Sequence, residues 1–363
     1  MKPFIFTGSQ GNCHIQGIAV DPQKQLIYYS FTTRFIKSTF DGKILGTVEG
    51  LTGHLGCIDF FEEDGRVYGS LEYKCDKIGK GISQISQTAE HRESAFYIAI
   101  FDVDKIDRIG MDAEKDGIMT AVYVKEATDD HNGSGKNKNG EPVKHKYGCS
   151  GIDGTAFGPM FGQQNDTKKY LFVAYGIYSD LTREDNNHQI LLCYDPEKLR
   201  TFAKPLNQNS MHKSGPQKPE AKLFLYTGNT NYGVQNLEYD AFTHAYFMAV
   251  YPGKKPEYPN YYLFAADAAA APYQGTIQGT EETGMLLSLL KKGIYHEKSN
   301  TYGWRFPFGS TGLYAFGDGT YYISEPHLSQ NGHCSLILPY TWQESAPFVL
   351  DVPAPEKTDD ARR

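Results

Sequence analysis

Three carboxylates and two histidines stand where acid–base chemistry could use them, at the polar ends of otherwise apolar runs. They are Glu72 in RVYGSLEY, Asp153 in GIDGTAFG, Glu325 in TYYISEP, His14 in HIQGIAVD and His54 in HLGCIDFF. Two carboxyls flanking a glycosidic bond can cleave it, one of them as an acid of raised pKa. Histidine, which titrates near neutrality, can serve as the general base of a lyase or esterase. Cys13, Cys57 and Cys149 fall beside the same positions. With His14 and His54 they offer the thiolates and imidazoles that zinc takes, and the carboxylates and amides suit calcium. No zinc spacing and no DxDxDG-type loop accompanies them, so the favoured expectation is cysteines packed as small apolar groups.

The elements that must position these residues form a repeat. HIQGIAVD at 14 recurs as HLGCIDFF at 54, GIDGTAFG at 151, GVQNLEYD at 233 and GSTGLYAF at 309. Each is followed by a turn and a second apolar strand, then in most units a third, such as AFYIAIFDVDKI or QILLCYDPEKL. Fourth strands are predicted at KILGTVEG, IMTAVYVKE, AKLFLYTG and around LLSLLKKGIY, the last equally readable as a helix. Five units of about four antiparallel strands predict an all-β chain folded as one β-propeller. A six-bladed ring with one degenerate blade, hidden between 54 and 151, and a pair of β-sandwiches are the alternatives. The domain is expected over residues 1–352, followed by a disordered charged tail at 353–363. The last blade lacks a fourth strand, which the N-terminal stretch near residues 2–7 would supply; PFVLDVP is the competing candidate.

The run QGIAVDPQKQLIYYSFTTRFIKSTFDGKILG, residues 16–46, resembles the blade repeats of NHL-type and YWTD-type proteins. The resemblance implies the propeller architecture and brings no catalytic residues with it. Glycosidases of similar five-bladed architecture carry a base aspartate near the start of the first blade. Here that place holds Cys13, His14 and Gln16, a departure that turns attention to His14 or His54 as base.

In a propeller the innermost strands begin at one end of the central channel, and the second-to-third loops gather at the same end. Those loops are the longer ones here, for example KCDKIGKGISQISQTAEHRES and SDLTREDNNH, which marks that face as the functional one. The expected catalytic set is Asp153, Glu72, Glu325, His14 and His54. The expected substrate-binding set is Gln16, Gln235, Thr311, Tyr73, Tyr178, His188 and His327, with Trp304 and Arg305 placed to stack on a sugar ring. Glycines aligned with His14, at 151, 233 and 309, allow close approach of chain or ligand.

The net charge of −7 and pI of about 5.9 exclude a nucleic-acid binder, and GKNKNGEPVKHK reads as a solvated loop. No GxSxG, HExxH, P-loop or GxGxxG pattern is present. The N-terminus lacks a signal-peptide core, no run is apolar enough to span a membrane, and six scattered cysteines suit a reducing cytoplasm. The expected function is a carbohydrate-active enzyme of the hydrolase or lyase type, binding a small molecule or saccharide at the channel mouth. The alternatives are a non-catalytic propeller that binds a small ligand or a protein, and a metal-assisted esterase or lactonase-like hydrolase.

Overall fold

The structure, a computed structural model, describes residues 4–163 and 167–351. Its strands form a five-bladed β-propeller. The first blade runs outward through Ile15–Asp21, Leu26–Phe31, Arg34–Thr39 and Ile44–Glu49. The second runs through His54–Phe61, Arg66–Tyr73, Ala95–Phe101 and Met119–Tyr123. The third runs through Cys149–Gly158, Tyr170–Ile177, His188–Tyr194 and Ala221–Tyr226. Between residues 54 and 151 there is no room for a sixth blade: the second blade, two helices and a small hairpin fill the interval.

The last two blades complete themselves irregularly. The fourth has Thr230–Asp240, Ala245–Pro252 and Leu263–Asp267, and its outer edge is closed only by isolated bridges from Leu289 and Trp304. LLSLLKKGIY is thus neither a helix nor one continuous fourth strand. Its start belongs to Thr283–Leu287, which pairs in parallel with the outer strand of the third blade. In the fifth blade Leu313–Ala315 and Thr320–Ser329 lead to the long Gly332–Trp342. Both candidate closing strands pair with that element, at different points along it. Ile5–Phe6 lies against Leu336 and Ile337, and Phe348–Leu350 against Tyr340 to Trp342. Residues 2 and 3 and the tail from 353 lie outside the described residues.

Turn chemistry follows the sequence. Asp21 Oδ1 accepts the backbone N–H groups of Gln23 and Lys24 at 3.0 Å each, and Asp240 does the same for Phe242 and Thr243. The core is divided among five seams. Phe35 stacks on Phe101 between the first two blades, Phe61 on Phe157 at the next seam, and Phe172 meets Tyr246 at the third. Each seam is a dry aromatic and aliphatic cluster, which is why tyrosine and phenylalanine are so numerous.

Two long connections expected as loops carry structure. The segment after Tyr73 contains helix α1 (Lys77–Ser86), N-capped by Asp76, whose side chain accepts the Gly79 N–H. The connection into the third blade contains helix α2 (Lys125–Asn132) and an exposed hairpin of Ser134–Lys136 and Pro142–Lys144, in place of a solvated loop. No helix among the described residues is long and apolar enough to cross a membrane.

Candidate functional site

The innermost strands of the first four blades all carry register shifts near the channel mouth: at Ile15/Gly17, Leu55/Ile58, Cys149/Gly151 and Asn231/Val234. A bulge breaks the strict alternation of side chains and re-aims polar groups. Below this level the channel is plugged. Asn236 Nδ2 donates to the carbonyls of Gln16 (2.8 Å) and Ser310 (2.9 Å), and Cys57 Sγ donates to Asn236 Oδ1 (3.4 Å). What remains on the mouth side is a closed-ended cup of about 180 Å³, small beside a pocket for a drug-sized ligand.

Glu72 and Asp153 form its floor. Glu72 is 3% exposed; its Oε2 lies 2.9 Å from Lys74 Nζ and 3.4 Å from His54 Nδ1, and its Oε1 accepts the Ile152 N–H at 2.8 Å. Asp153 Oδ1 accepts the Cys57 N–H at 3.2 Å. Burial pushes the Asp153 carboxyl up to about 7, with His54 acting against the rise and Glu72 adding to it. Lys74 is 6% exposed, and Glu72 is its one ion-pair partner among the described residues. Burial works against the Lys74 charge, but the Glu72 carboxylate outweighs it and holds the pKa above the ordinary lysine value.

Glycines make this floor. A Cβ on Gly151, whose φ is +138°, would stand 1.9 Å from Glu72 Oε1; one on Gly56 would stand 2.2 Å from Asp153 Oδ1. The close approach that the glycines permit is therefore that of the two carboxyls. Gln16 and Gln235 line the walls, together with Ser150, Tyr232, Tyr251 and Ile78 of α1. Tyr232 holds a left-handed φ of +66°, a strained conformation kept at the rim.

Of the expected residues, the cup gathers Asp153, Glu72, His54, Gln16 and Gln235. His14 lies outside it, exposed, its ring 3.6 Å from that of His333; burial, His333 and His54 together hold its pKa below the usual histidine value. Glu325 points away and accepts the Tyr340 hydroxyl. Thr311 is buried against Ser324, the two hydroxyls 3.2 Å apart. Tyr73 is packed in the first seam and donates to Gln208, because its neighbour Glu72 takes the channel side of the strand. Tyr178 donates to Asp76 below α1. His188 is buried against Tyr226, its pKa lowered to about 4 by burial. Trp304 is 2% exposed and packs on Trp342, while Arg305 is exposed beside it, so neither offers a sugar platform in the cup. His327 sits along the strand beyond Glu325, opposite Cys334.

Lys74, Ser150, Tyr232 and Tyr251 were not expected. Lys74 had a signal, since it lies two residues after Glu72 and a strand repeats its facing every second residue. The cysteines are structural: Cys57 pins the channel, with its pKa pushed up to about 12 by burial, and Cys149 bonds to backbone carbonyls. No group of three or more His, Cys, Asp or Glu among the described residues is arranged to hold a metal ion.

No protein-family model and no curated protein matches the chain. Among solved structures, the chain is similar to a functionally unknown protein from Desulfotomaculum acetoxidans, at 9% identity and a TM-score of 0.35, over 93% of this chain and 69% of that one. It is also similar to the PQQ domain of a pyranose dehydrogenase from Coprinopsis cinerea, in its holo form, at 13% identity and a TM-score of 0.35, over 89% of this chain and 82% of that one. The five-bladed assignment stands on the sheet topology itself.

Proposed function

We propose that the cup is the active site of an acid–base enzyme, a hydrolase or lyase acting on a small carbohydrate-like molecule. The observation that carries this reading is the pair of carboxyls on its floor, held in opposite environments. Glu72 is ion-paired with Lys74 at 2.9 Å, while burial pushes the Asp153 carboxyl up to about 7. A buried acid of raised pKa beside an ion-paired carboxyl is the usual making of an acid and a base at neutral pH. Asp153 is the proton donor in this reading, and Glu72 with His54 is the base. The amides of Gln16 and Gln235 and the hydroxyl of Ser150 suit a polyhydroxylated ligand. Six unpaired cysteines support a reducing, cytoplasmic setting.

A panel of aryl glycosides and of glycosides prone to elimination, assayed for released phenol and for unsaturated product, tests the proposal. Asp153→Asn keeps the shape and the Cys57 bond, and should lower turnover by about 10²–10⁴-fold, as loss of a general acid does. Unchanged turnover in that folded variant would remove the reading.

A second reading has its own observation. Both carboxyls accept backbone N–H groups from the neighbouring blade, Glu72 from Ile152 and Asp153 from Cys57, so both also latch the second blade to the third. In a non-catalytic propeller the two carboxyls would latch the blades and line a binding cup, and Asp153→Asn would weaken ligand binding with no turnover to lose.

A further inference from the structure

Two donors in the cup, on Lys74 and Ser150, are not fully answered by the residues around them. The Lys74 ammonium has three protons to give and Glu72 is its one ion-pair partner among the described residues, which leaves donors for the cavity that Lys74 lines. Ser150 is 1% exposed and its Oγ has no hydrogen-bond partner among the described residues, yet it lines the same cavity. A buried hydroxyl without a partner is uncommon and asks for one. Space beside it is preserved by Gly176, where a Cβ would come within 2.6 Å of Ser150 Oγ. On the acceptor side the floor has Glu72, engaged by Lys74, His54 and the Ile152 N–H, and Asp153, which accepts the Cys57 N–H.

We propose that the ligand of the cup is a small hydroxylated monocarboxylate, of the sugar-acid or hydroxy-acid class, whose carboxylate is received by Lys74 and Ser150. The inference rests on the reading of the cup as a substrate site and narrows its substrate class. A carboxylate answers both donors at once, and bonds between ionised groups are roughly twice as strong as neutral ones. A single negative charge is the limit. Among the described residues Lys74 is the only lysine or arginine on the cup's wall and already shares its charge with Glu72, so a doubly charged phosphate would be left uncompensated above two carboxyls. The ligand's hydroxyls fall to Gln16 and Gln235, whose amides both donate and accept. A neutral polyol would fill the same space, but its hydroxyl oxygens would accept from Lys74 more weakly than a carboxylate does.

Calorimetric titration of the full chain with D-glucuronate and D-galacturonate, set against D-glucose, D-galactose and acetate, tests this. The acids should bind at least about tenfold more tightly than the neutral sugars or acetate, the worth of one charge-assisted bond. Ser150→Ala gives up no internal hydrogen bond and should fold normally, with about tenfold weaker binding of the acid. The double variant Glu72→Gln/Lys74→Met removes both charges and should lose the preference for acids. Neutral sugars binding as tightly as the acids would overturn the inference while leaving the acid–base reading to its turnover assay. No binding of either acid, or equal binding by Ser150→Ala and the double variant, would overturn it as well.

Discussion

Replacing Glu72 by glutamine should lower the melting temperature by about 5 °C. Lys74 is 6% exposed and its ammonium sits 2.9 Å from Glu72 Oε2, with no second ion-pair partner among the described residues. Removing one member of a buried pair strands the other charge and costs about 3–5 kcal/mol. The entropy of unfolding is about 2.1 cal/mol/K per residue, which over 363 residues gives about 0.76 kcal/mol/K. A loss of about 4 kcal/mol therefore corresponds to about 5 °C. Glutamine still accepts the Ile152 N–H through Oε1, so the effect isolates the charge. The double variant Glu72→Gln/Lys74→Met removes the stranded ammonium and should recover to within about 2 °C of wild type, since an apolar replacement of a buried pair is often neutral. Thermal unfolding of the four proteins of this cycle by calorimetry supplies the coupling energy. A single-variant shift under about 1 °C, or a double variant no better than the single, would mean that Lys74 reaches water and that the desolvated floor described here is wrong.

Stability should also fall as pH rises from about 4 to about 7. Asp153 and Asp59 both have folded pKa values raised to about 7 by burial, so their contribution is full below the ordinary carboxylate range and is lost as pH climbs through about 7. For Asp153 the loss is on the order of 4 kcal/mol, and Asp153→Asn should flatten the melting-temperature profile accordingly; an unchanged profile refutes the assignment. Gly151→Ala should destabilise by well over 1 kcal/mol, because its Cβ meets Glu72 Oε1 at 1.9 Å and its φ of +138° disfavours any side chain; chemical denaturation measures this. Of the six cysteines only Cys75 is not buried, so a thiol reagent should label about one site in the native protein and all six after unfolding. Fast labelling of two or more native thiols would contradict the packing described here.

The blades were legible because their signals are local. Each first strand announces itself by an apolar run that ends in a turn, and Asp21 and Asp240 mark those turns with side chains that bond two and three residues onward. The closing of the ring was half legible. Two terminal segments competed for one place, and both fit because Gly332–Trp342 is long enough to pair with each in turn. The site was harder to read. Glu72 and Tyr73 were both expected at the mouth, yet neighbouring strand residues face opposite ways and only the tertiary structure says which faces the channel. His188 and Trp304 have chemistry-bearing side chains, but seam packing absorbs them. Ser150 gave no signal, since the bulge between Cys149 and Gly151 alone turns it toward the cup.

By itself, then, the sequence determined the repeat, the all-β architecture and the cluster of polar residues at one end of it. Alternation and turn chemistry act over a few residues and can be read along a line. The tertiary structure decided which of those residues share a cup and in what charge state. Glu72 meets Ile152 across 80 positions of chain and Asp153 meets Cys57 across 96. The raised acid at Asp153 and the paired charge at Lys74 come from water excluded by neighbouring blades, a condition that exists only once the ring has closed.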